Sequence, residues 1–427
     1  MIKRFLLLFF VSNSLISFNQ KELTFNPISL NSSSPHDSFE DLRTLSLNYD
    51  SIRLIGMGES THGTKEFFTM RHRMFKFLVE EKGFNTFFLE ADYANCLKIN
   101  RYINHEQNNL KDAILTIGLW PWVTEEMKDL IEWMKKYNSE NTDKKLSFVG
   151  CDVQRVSQTV FEIDKIIAKY DANKLDTSLY RALPKNEAEE FLAKFPKKKL
   201  DSLIRICANK KKVLLELNNI ADHDKISYEI LLRHFKQYND SKSKKYFKDG
   251  SFRDKKMAEN ILYHLKLNPN EKGFFWAHNG HIVNFSHSKR KKYKQVRAGG
   301  VLKDTLKEKY HIIFQDFVGE GKFNALKYKG GLKNNRDNYA QNISVCTKIP
   351  SNKYLLSEKI NLTNEVTYVD LKFLASNNKS GFVKPSVSVN DIGAVFLDDK
   401  SSVWYMIYGD MDSIILIKNT TPTKLLD

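Results

Sequence analysis

The sequence predicts an α/β fold, a largely parallel or mixed sheet flanked by helices, with a long helical insertion over the strand C-terminal edge. Two observations predict the layers. Short apolar runs, the length of buried strands, alternate with longer stretches whose apolar residues recur every three or four positions. A third observation predicts the insertion. From about Val156 to Leu267 the chain is helical and charge-rich with no convincing strand, too long a stretch for a simple crossover between parallel strands.

The first strand is expected at Arg53–Gly56. Lys65 to Lys82 follows as a helix, with Phe67, Phe68, Met70, Met74, Phe75, Phe77 and Leu78 on its apolar positions. Gly83 closes it, as a glycine past a helix end does. Asn85–Leu89 is the second strand and Tyr93–Ile103 the next helix. Thr124 opens another helix, with Glu125 and Glu126 where negative charge suits the dipole, and it runs to about Asn138. Leu146–Val149, Gly273–Ala277 and His311–Phe314 are the third, fourth and fifth strands. From about Val366 to Lys418 strand and helix are expected to mix, with strands at Val403–Ile407 and Ser413–Ile417.

The N-terminus reads as an address. Met1-Ile2-Lys3-Arg4 is basic, and Phe5 to Val11 is a short apolar run. That pattern is a secretory leader, too short to span a bilayer. Residues 1–19 are therefore expected to be removed, 20–37 to form a polar lead-in, and 38–427 to form the domain, with 156–267 as its insertion. The expected location is secreted or periplasmic, without a stable membrane anchor.

The 427 residues carry a formal net charge of +16. The lysines cluster at 197–199, 210–212, 242–245 and 289–292, but no interleaved aromatics or nucleic-acid module accompany them, so a solvated basic surface is expected and no nucleic-acid partner. The four cysteines form no Cys-x-x-Cys pair, which argues against a zinc ribbon or a redox motif. Cys96, Cys151 and Cys207 sit among apolar residues and read as core thiols. A disulfide is permitted by an oxidising compartment, but spacing assigns no pairing.

In open α/β sheets ligands bind beyond the carboxyl ends of the strands. Each of the five strands delivers an acid, an amide or a histidine there. The first gives Gly58-Glu59-Ser60-Thr61-His62-Gly63, the second Glu90-Ala91-Asp92, and the third Gly150-Cys151-Asp152-Val153-Gln154. The fourth gives His278-Asn279-Gly280-His281 and the fifth Gln315-Asp316. Asp92 and Asp152 taken alone suit turns or helix caps. Glu90 follows Thr86-Phe87-Phe88-Leu89 directly, and an acid so nearly buried needs a partner, for which His62, His278 and His281 are candidates. A carboxylate on one nitrogen of His62 would leave the other free to take a proton from water.

Other chemistries have weaker support. The Gly-x-Ser-x-Gly spacing of a serine nucleophile is missing around Ser60, and Ser60 or Thr61 is expected to cap the following helix. His278-x-x-His281 with Glu59, His62 or Glu90 has the donor types of a metal site, but no His-Glu-x-x-His helix occurs. A metal-dependent hydrolase of another ester or amide therefore stays as the alternative. The glycines at 56, 58 and 63 are off the dinucleotide spacing.

Together these residues resemble the erythromycin esterase family. The match runs through Gly58–Gly63, Arg71, Glu90, Trp122-Val123-Thr124-Glu125, Trp133-Met134 and Tyr137-Asn138. It continues through Gly150–Gln154, Arg253-Asp254 with Met257 and Asn260, and Trp276–His281. The resemblance covers about Ser51 to the C-terminus. It implies hydrolysis of the lactone ester of a macrolide antibiotic such as erythromycin, by water and without a required metal or other cofactor. It implies His62 as base, supported by Glu59 and Glu90, with His278 and His281 in the catalytic set. Arg71, Asp152, Gln154, Arg253 and Trp122 are implied in substrate binding. The expected partner is a small-molecule lactone or ester. A non-enzymatic ligand-binding relative is the remaining alternative.

Overall fold

A computed structural model of the chain describes residues 27–45, 49–170, 197–216, 219–242, 251–285, 296–328, 339–350, 355–358, 360, 362, 364–371, 388–398, 402–405 and 409–426. The leader, the lead-in before residue 27 and the lysine run at 289–292 lie outside the described residues.

An eight-stranded mixed sheet forms the centre. In chain order its strands are β1 (Pro27–Leu30), β2 (Leu54–Met57), β3 (Thr86–Asp92), β4 (Ser147–Asp152), β5 (Gly273–Trp276), β6 (Tyr310–Phe317), β9 (Val366–Asp370) and β13 (Ser413–Ile417). Across the sheet the order is β1-β9-β13-β6-β2-β5-β3-β4. The run from β13 to β4 is parallel throughout, and β9 lies antiparallel to both its neighbours.

The three central strands show why both faces are covered. Ile55 and Met57, Phe87 and Leu89, and Phe274 and Trp276 point into one core with helix α2 (Lys65–Lys82) and helix α5 (Glu125–Glu140). Leu54, Phe88 and Phe275 alternate into a second core. Side chains of a strand alternate between faces, so a near-continuous apolar run reports a sheet buried on both sides. Gly83 takes φ 72° at the end of α2, and its N–H donates to the Leu78 carbonyl. The Thr124 hydroxyl accepts from the Met127 N–H at 3.2 Å and caps α5. Between them lie α3 (Tyr93–Ile103) and α4 (Leu110–Ile117).

After β4 come α6 (Ser157–Tyr170), α7 (Lys197–Glu216), α8 (Asp222–Ser241) and α9 (Phe252–Leu267). The first three share their own core, including Ile163, Ile167, Leu203, Cys207, Leu231 and Phe235. Helix α9 does not belong to that core. Its Met257, Ala258, Ile261 and Leu265 pack in the second sheet core with Val149 and Cys151 of β4. It is the crossover helix into β5, and its first turn delivers Arg253 and Asp254 to the strand C-terminal edge. The expected insertion thus ends before Phe252. Two short helices, α10 (Asn279–Ile282) and α11 (Ala298–Leu306), connect β5 to β6.

Two expectations need correction. The segment 20–37 was expected to be a lead-in ahead of the domain, but Pro27–Leu30 pairs with β9 residue for residue as β1. Its polar surroundings hide an edge strand, of which only Leu30 is buried. The C-terminal region was expected to mix strand and helix, yet the described residues from 366 to 418 contain strands and irregular chain without an α-helix. They include β10 (Ser388–Asn390), β11 (Val395–Phe396) and β12 (Val403–Tyr405), while β7 (Gly321–Tyr328) and β8 (Tyr339–Lys348) form a hairpin that adds β11. All four cysteines are buried and free.

Candidate active site

The polar turns that follow the parallel strands meet at one edge of the sheet. Glu59 is fully buried beyond β2. Its Oε1 lies 2.6 Å from His62 Nδ1, and its Oε2 accepts from Arg71 Nη1 at 2.5 Å. Trp276 Nε1 donates to the same Oε1 at 3.2 Å. Burial alone would raise the pKa of Glu59, but the charges of Arg71 and His62 and their hydrogen bonds hold it below the ordinary value. An ionised Glu59 accepts only, so the proton on this edge of the His62 ring sits on Nδ1, and in the neutral ring the basic nitrogen is Nε2. The His62 side chain is 10% exposed and stands edge-on to Trp122, with centroids 5.4 Å apart.

The turn carrying His62 is fixed from outside. The His62 N–H donates to the Gly393 carbonyl at 3.1 Å, while the Ile392 and Gly393 N–H groups donate to the Ser60 carbonyl. A Cβ on Gly63 would fall 2.0 Å from the Asn324 carbonyl oxygen, so only glycine lets the β7 backbone approach this turn. Thr61 Oγ1 accepts from the Gly63 N–H at 3.0 Å. It shapes the turn rather than capping α2, whose N-cap is Thr64 with no side-chain cap bond. Ser60 is fully buried, so neither hydroxyl caps the helix.

Glu90 makes a second cluster. Its Oε1 meets Arg253 Nη2 at 2.6 Å and His281 Nε2 at 3.2 Å, and its Oε2 accepts from the His278 N–H at 2.9 Å. The partner of Glu90 is therefore His281 with Arg253, whereas the sequence left His62 equally open. Arg253 also grips Asp152, with Nη2 to Oδ2 at 2.6 Å, and Gln154 Nε2 donates to that oxygen at 2.6 Å. His281 Nδ1 faces Asp254 Oδ1 at 2.9 Å, and Arg297 Nη1 lies 3.4 Å from Asp254 Oδ2.

Three carboxylates, Glu90, Asp152 and Asp254, thus meet two guanidinium groups, Arg253 and Arg297. A protonated His281 balances the set. Burial opposes that charge, but Glu90 and Asp254 outweigh it and push the ring up to about 9. The charges of His281 and Arg253 in turn hold Glu90 well below its ordinary value against its own burial.

His278 behaves oppositely. Burial lowers its pKa, and Asp391 nearby does not restore it. Its Nδ1 accepts from the Gly280 N–H at 3.2 Å, so its proton sits on Nε2, 3.3 Å from the Ser60 carbonyl. The edge therefore carries a neutral imidazole at 278 beside an imidazolium at 281, with His62 5.4 Å from His278 between ring centroids. The ring nitrogens of His278 and His281 are all engaged by protein atoms.

Arg71 and Trp122 were implied as substrate contacts. They are 0% and 1% exposed, behind Glu59 and His62. Trp122 Nε1 donates to the Glu90 carbonyl at 3.2 Å. Arg253 stands a third exposed at the cleft. Asp92 Oδ1 accepts from the Gln154 and Arg155 N–H groups, the turn role its position suggested. Asp254 entered the sequence analysis only as a neighbour of Arg253, and Arg297 not at all. Asp391, whose Oδ1 lies 3.5 Å from His278 Nε2, had no signal in the sequence beyond a turn-like Asn-Asp.

Residues 79–420 match the erythromycin esterase family. The chain belongs to the erythromycin esterase family. It is 28% identical over 284 residues to erythromycin esterase type II from Escherichia coli, a stretch covering 58% of this chain and 65% of that protein. It therefore spans just under two thirds of that relative. It is 25% identical to the putative hydrolase YbfO from Bacillus subtilis strain 168, over 65% of this chain and 67% of the other. A histidine-to-asparagine mutant of the erythromycin esterase EreC, solved in its open conformation, superimposes with TM-score 0.63 at 19% identity, over 92% of this chain and 98% of that one. A protein from Bacillus cereus superimposes with TM-score 0.73 at 21% identity, over 93% and 96%. These structures share the fold of the family, a mixed sheet flanked by helices, and its named relatives are esterases and a hydrolase. Among the described residues no helix is long and apolar enough to cross a membrane.

Proposed function

We propose that this member of the family opens the lactone ester of a macrolide antibiotic such as erythromycin, with His62 as general base for an attacking water. The observation that carries the reading is the 2.6 Å contact of Glu59 with His62 Nδ1. It favours the tautomer in which Nε2 is the basic nitrogen.

Water bound at His62 Nε2 attacks the ester carbonyl carbon as its proton passes to that nitrogen. The imidazolium so formed is stabilised by Glu59, which Arg71 and Trp276 fix in place. The tetrahedral intermediate carries negative charge on the former carbonyl oxygen. Arg253, whose side chain is a third exposed beside the Glu90 cluster, is the donor nearest the cleft for that charge. Collapse breaks the carbon–oxygen bond of the ring, and the departing alkoxide takes the proton back from His62. The products are a carboxylic acid and an alcohol on one opened chain.

The test is incubation of purified protein with a panel of macrolides, followed by mass spectrometry. A gain of one water on at least one macrolide is the expected result. No ring opening on any of them, with a simple ester hydrolysed instead, would replace the substrate in this reading.

A further inference from the structure

Asp316 takes part in no step of the chemistry above, yet it is buried near the C-terminal end of β6. Its Oδ2 accepts from the Asn390 N–H at 2.9 Å. Its Oδ1 accepts from Asn390 Nδ2 at 2.9 Å and from the Phe317 N–H at 2.8 Å. One carboxylate thus takes both donors of a residue 74 positions away in the chain. Burial pushes its pKa up to about 6, and the groups that most offset burial, Asn390, the Phe317 N–H and Ser60, are all neutral. A buried acid that meets neutral donors is a costly tie between two strands.

What it ties down is the segment that braces the site. Asn390 leads into Asp391, Ile392 and Gly393. The Ile392 and Gly393 N–H groups donate to the Ser60 carbonyl, and the Gly393 carbonyl accepts from the His62 N–H at 3.1 Å. Gly393 has φ 66°, and a Cβ there would lie 3.8 Å from the His278 ring and 3.9 Å from the His62 ring, so this residue faces both. Asp391 Oδ1 is 3.5 Å from His278 Nε2. Strand β6 also holds the opposite side of the turn. The Gly58 N–H donates to the Ile313 carbonyl, and Gln315 Nε2 donates to the Gly58 carbonyl at 3.0 Å. Strand β10 pairs with β12, outside the eight-stranded sheet. The Asp316 bonds therefore join the bracing segment directly to the sheet, on the same strand end that holds the His62 turn.

We propose that Asp316 is a positioning residue: by fixing Asn390 it sets the 391–393 turn and, through that turn, the placement of His62 and His278. The effect on turnover rests on the hydrolase reading, whereas the placement of the two rings does not.

The test compares the full chain, carrying isotope-labelled histidine, with Asp316→Ala and Asn390→Ala by NMR of the imidazole rings. Asp316→Ala removes every acceptor, whereas Asn390→Ala removes one bond and keeps the carboxylate. The His62 and His278 signals should move in both variants, further in Asp316→Ala. The buried rings of His72 on α2 and His234 on α8 serve as controls and should stay in place. On an ester substrate, kcat should fall about tenfold in Asp316→Ala with KM little changed, within the hundredfold that misplacing a reacting group by about 1 Å can cost. Unmoved His62 and His278 signals in a folded Asp316→Ala protein would overturn the proposal, as would control rings that move as far as these two. If Asp316→Ala does not fold, Asn390→Ala decides: unmoved His62 and His278 rings in that variant overturn the proposal on their own. Moved rings with wild-type kcat would remove the positioning role. Moved rings in a protein that hydrolyses no ester would keep the brace and remove the hydrolase reading.

Discussion

Glu90 Oε1 and His281 Nε2 form a buried ion pair at 3.2 Å, with Asp254 on the other ring nitrogen at 2.9 Å. The ring's pKa is pushed up to about 9, above its value of about 6.5 in an unfolded chain. A group whose folded value is raised contributes stability that is fully present below the unfolded value and is lost as pH rises through the folded one. Thermal unfolding should therefore show a loss of Tm between about pH 6.5 and pH 9 that His281→Gln removes. A variant with the same alkaline slope as the wild type would show that His281 is neutral in the folded protein.

Glu90 acts through the same pair. Glu90→Gln keeps the shape but withdraws the charge from His281 and Arg253 and leaves their cations poorly balanced. The expected loss is about 2 kcal/mol of stability, the scale of a hydrogen bond to a charged group, together with a lower kcat. If the pair is the cause, the alkaline slope of Tm shrinks in this variant as well. Urea denaturation at several pH values measures both effects.

Much of this edge was legible in the sequence, because a strand followed by a polar turn announces itself locally. The five strands β2 to β6, the helices at Lys65–Lys82 and Glu125–Glu140, and the convergence of residues 59–62, 90, 152 and 278–281 all follow from short-range pattern. Pairing across the sheet did not. Whether Glu90 met His62 or His281 depends on how the β3 and β5 turns lie relative to α9, which no local pattern encodes. The strand at Pro27–Leu30 was hidden because an edge strand needs few apolar residues. Asp391 and Gly393 reach the site from a segment more than three hundred residues after His62.

Gly63 is a backbone requirement of the site. A methyl there would meet the Asn324 carbonyl at 2.0 Å, and the same turn holds His62. Gly63→Ala should cost about 1–3 kcal/mol, the usual penalty of forcing atoms into a packed site, and should lower kcat by displacing His62. A variant of wild-type stability and turnover would mean that the hairpin does not press on this turn.

Ser60 separates water attack from an acyl-enzyme route. Its hydroxyl is on a fully buried residue, and the bonds that fix the turn use its carbonyl. Ser60→Ala should retain most activity, and no acyl group should be trapped on residue 60 by mass spectrometry. Loss of turnover in a folded Ser60→Ala protein would point to Ser60 as the nucleophile.

The most direct measurement is kcat for macrolide ring opening by His62→Ala, compared with the wild type on the same substrate. The Nε2 lone pair of the tautomer that Glu59 favours, through its 2.6 Å contact with Nδ1, is the base on which the account depends. Its removal should lower kcat by about a hundredfold or more, the usual size of a general-base contribution, measured on protein whose folding is confirmed by its thermal unfolding. Full turnover by a well-folded His62→Ala protein would contradict the account.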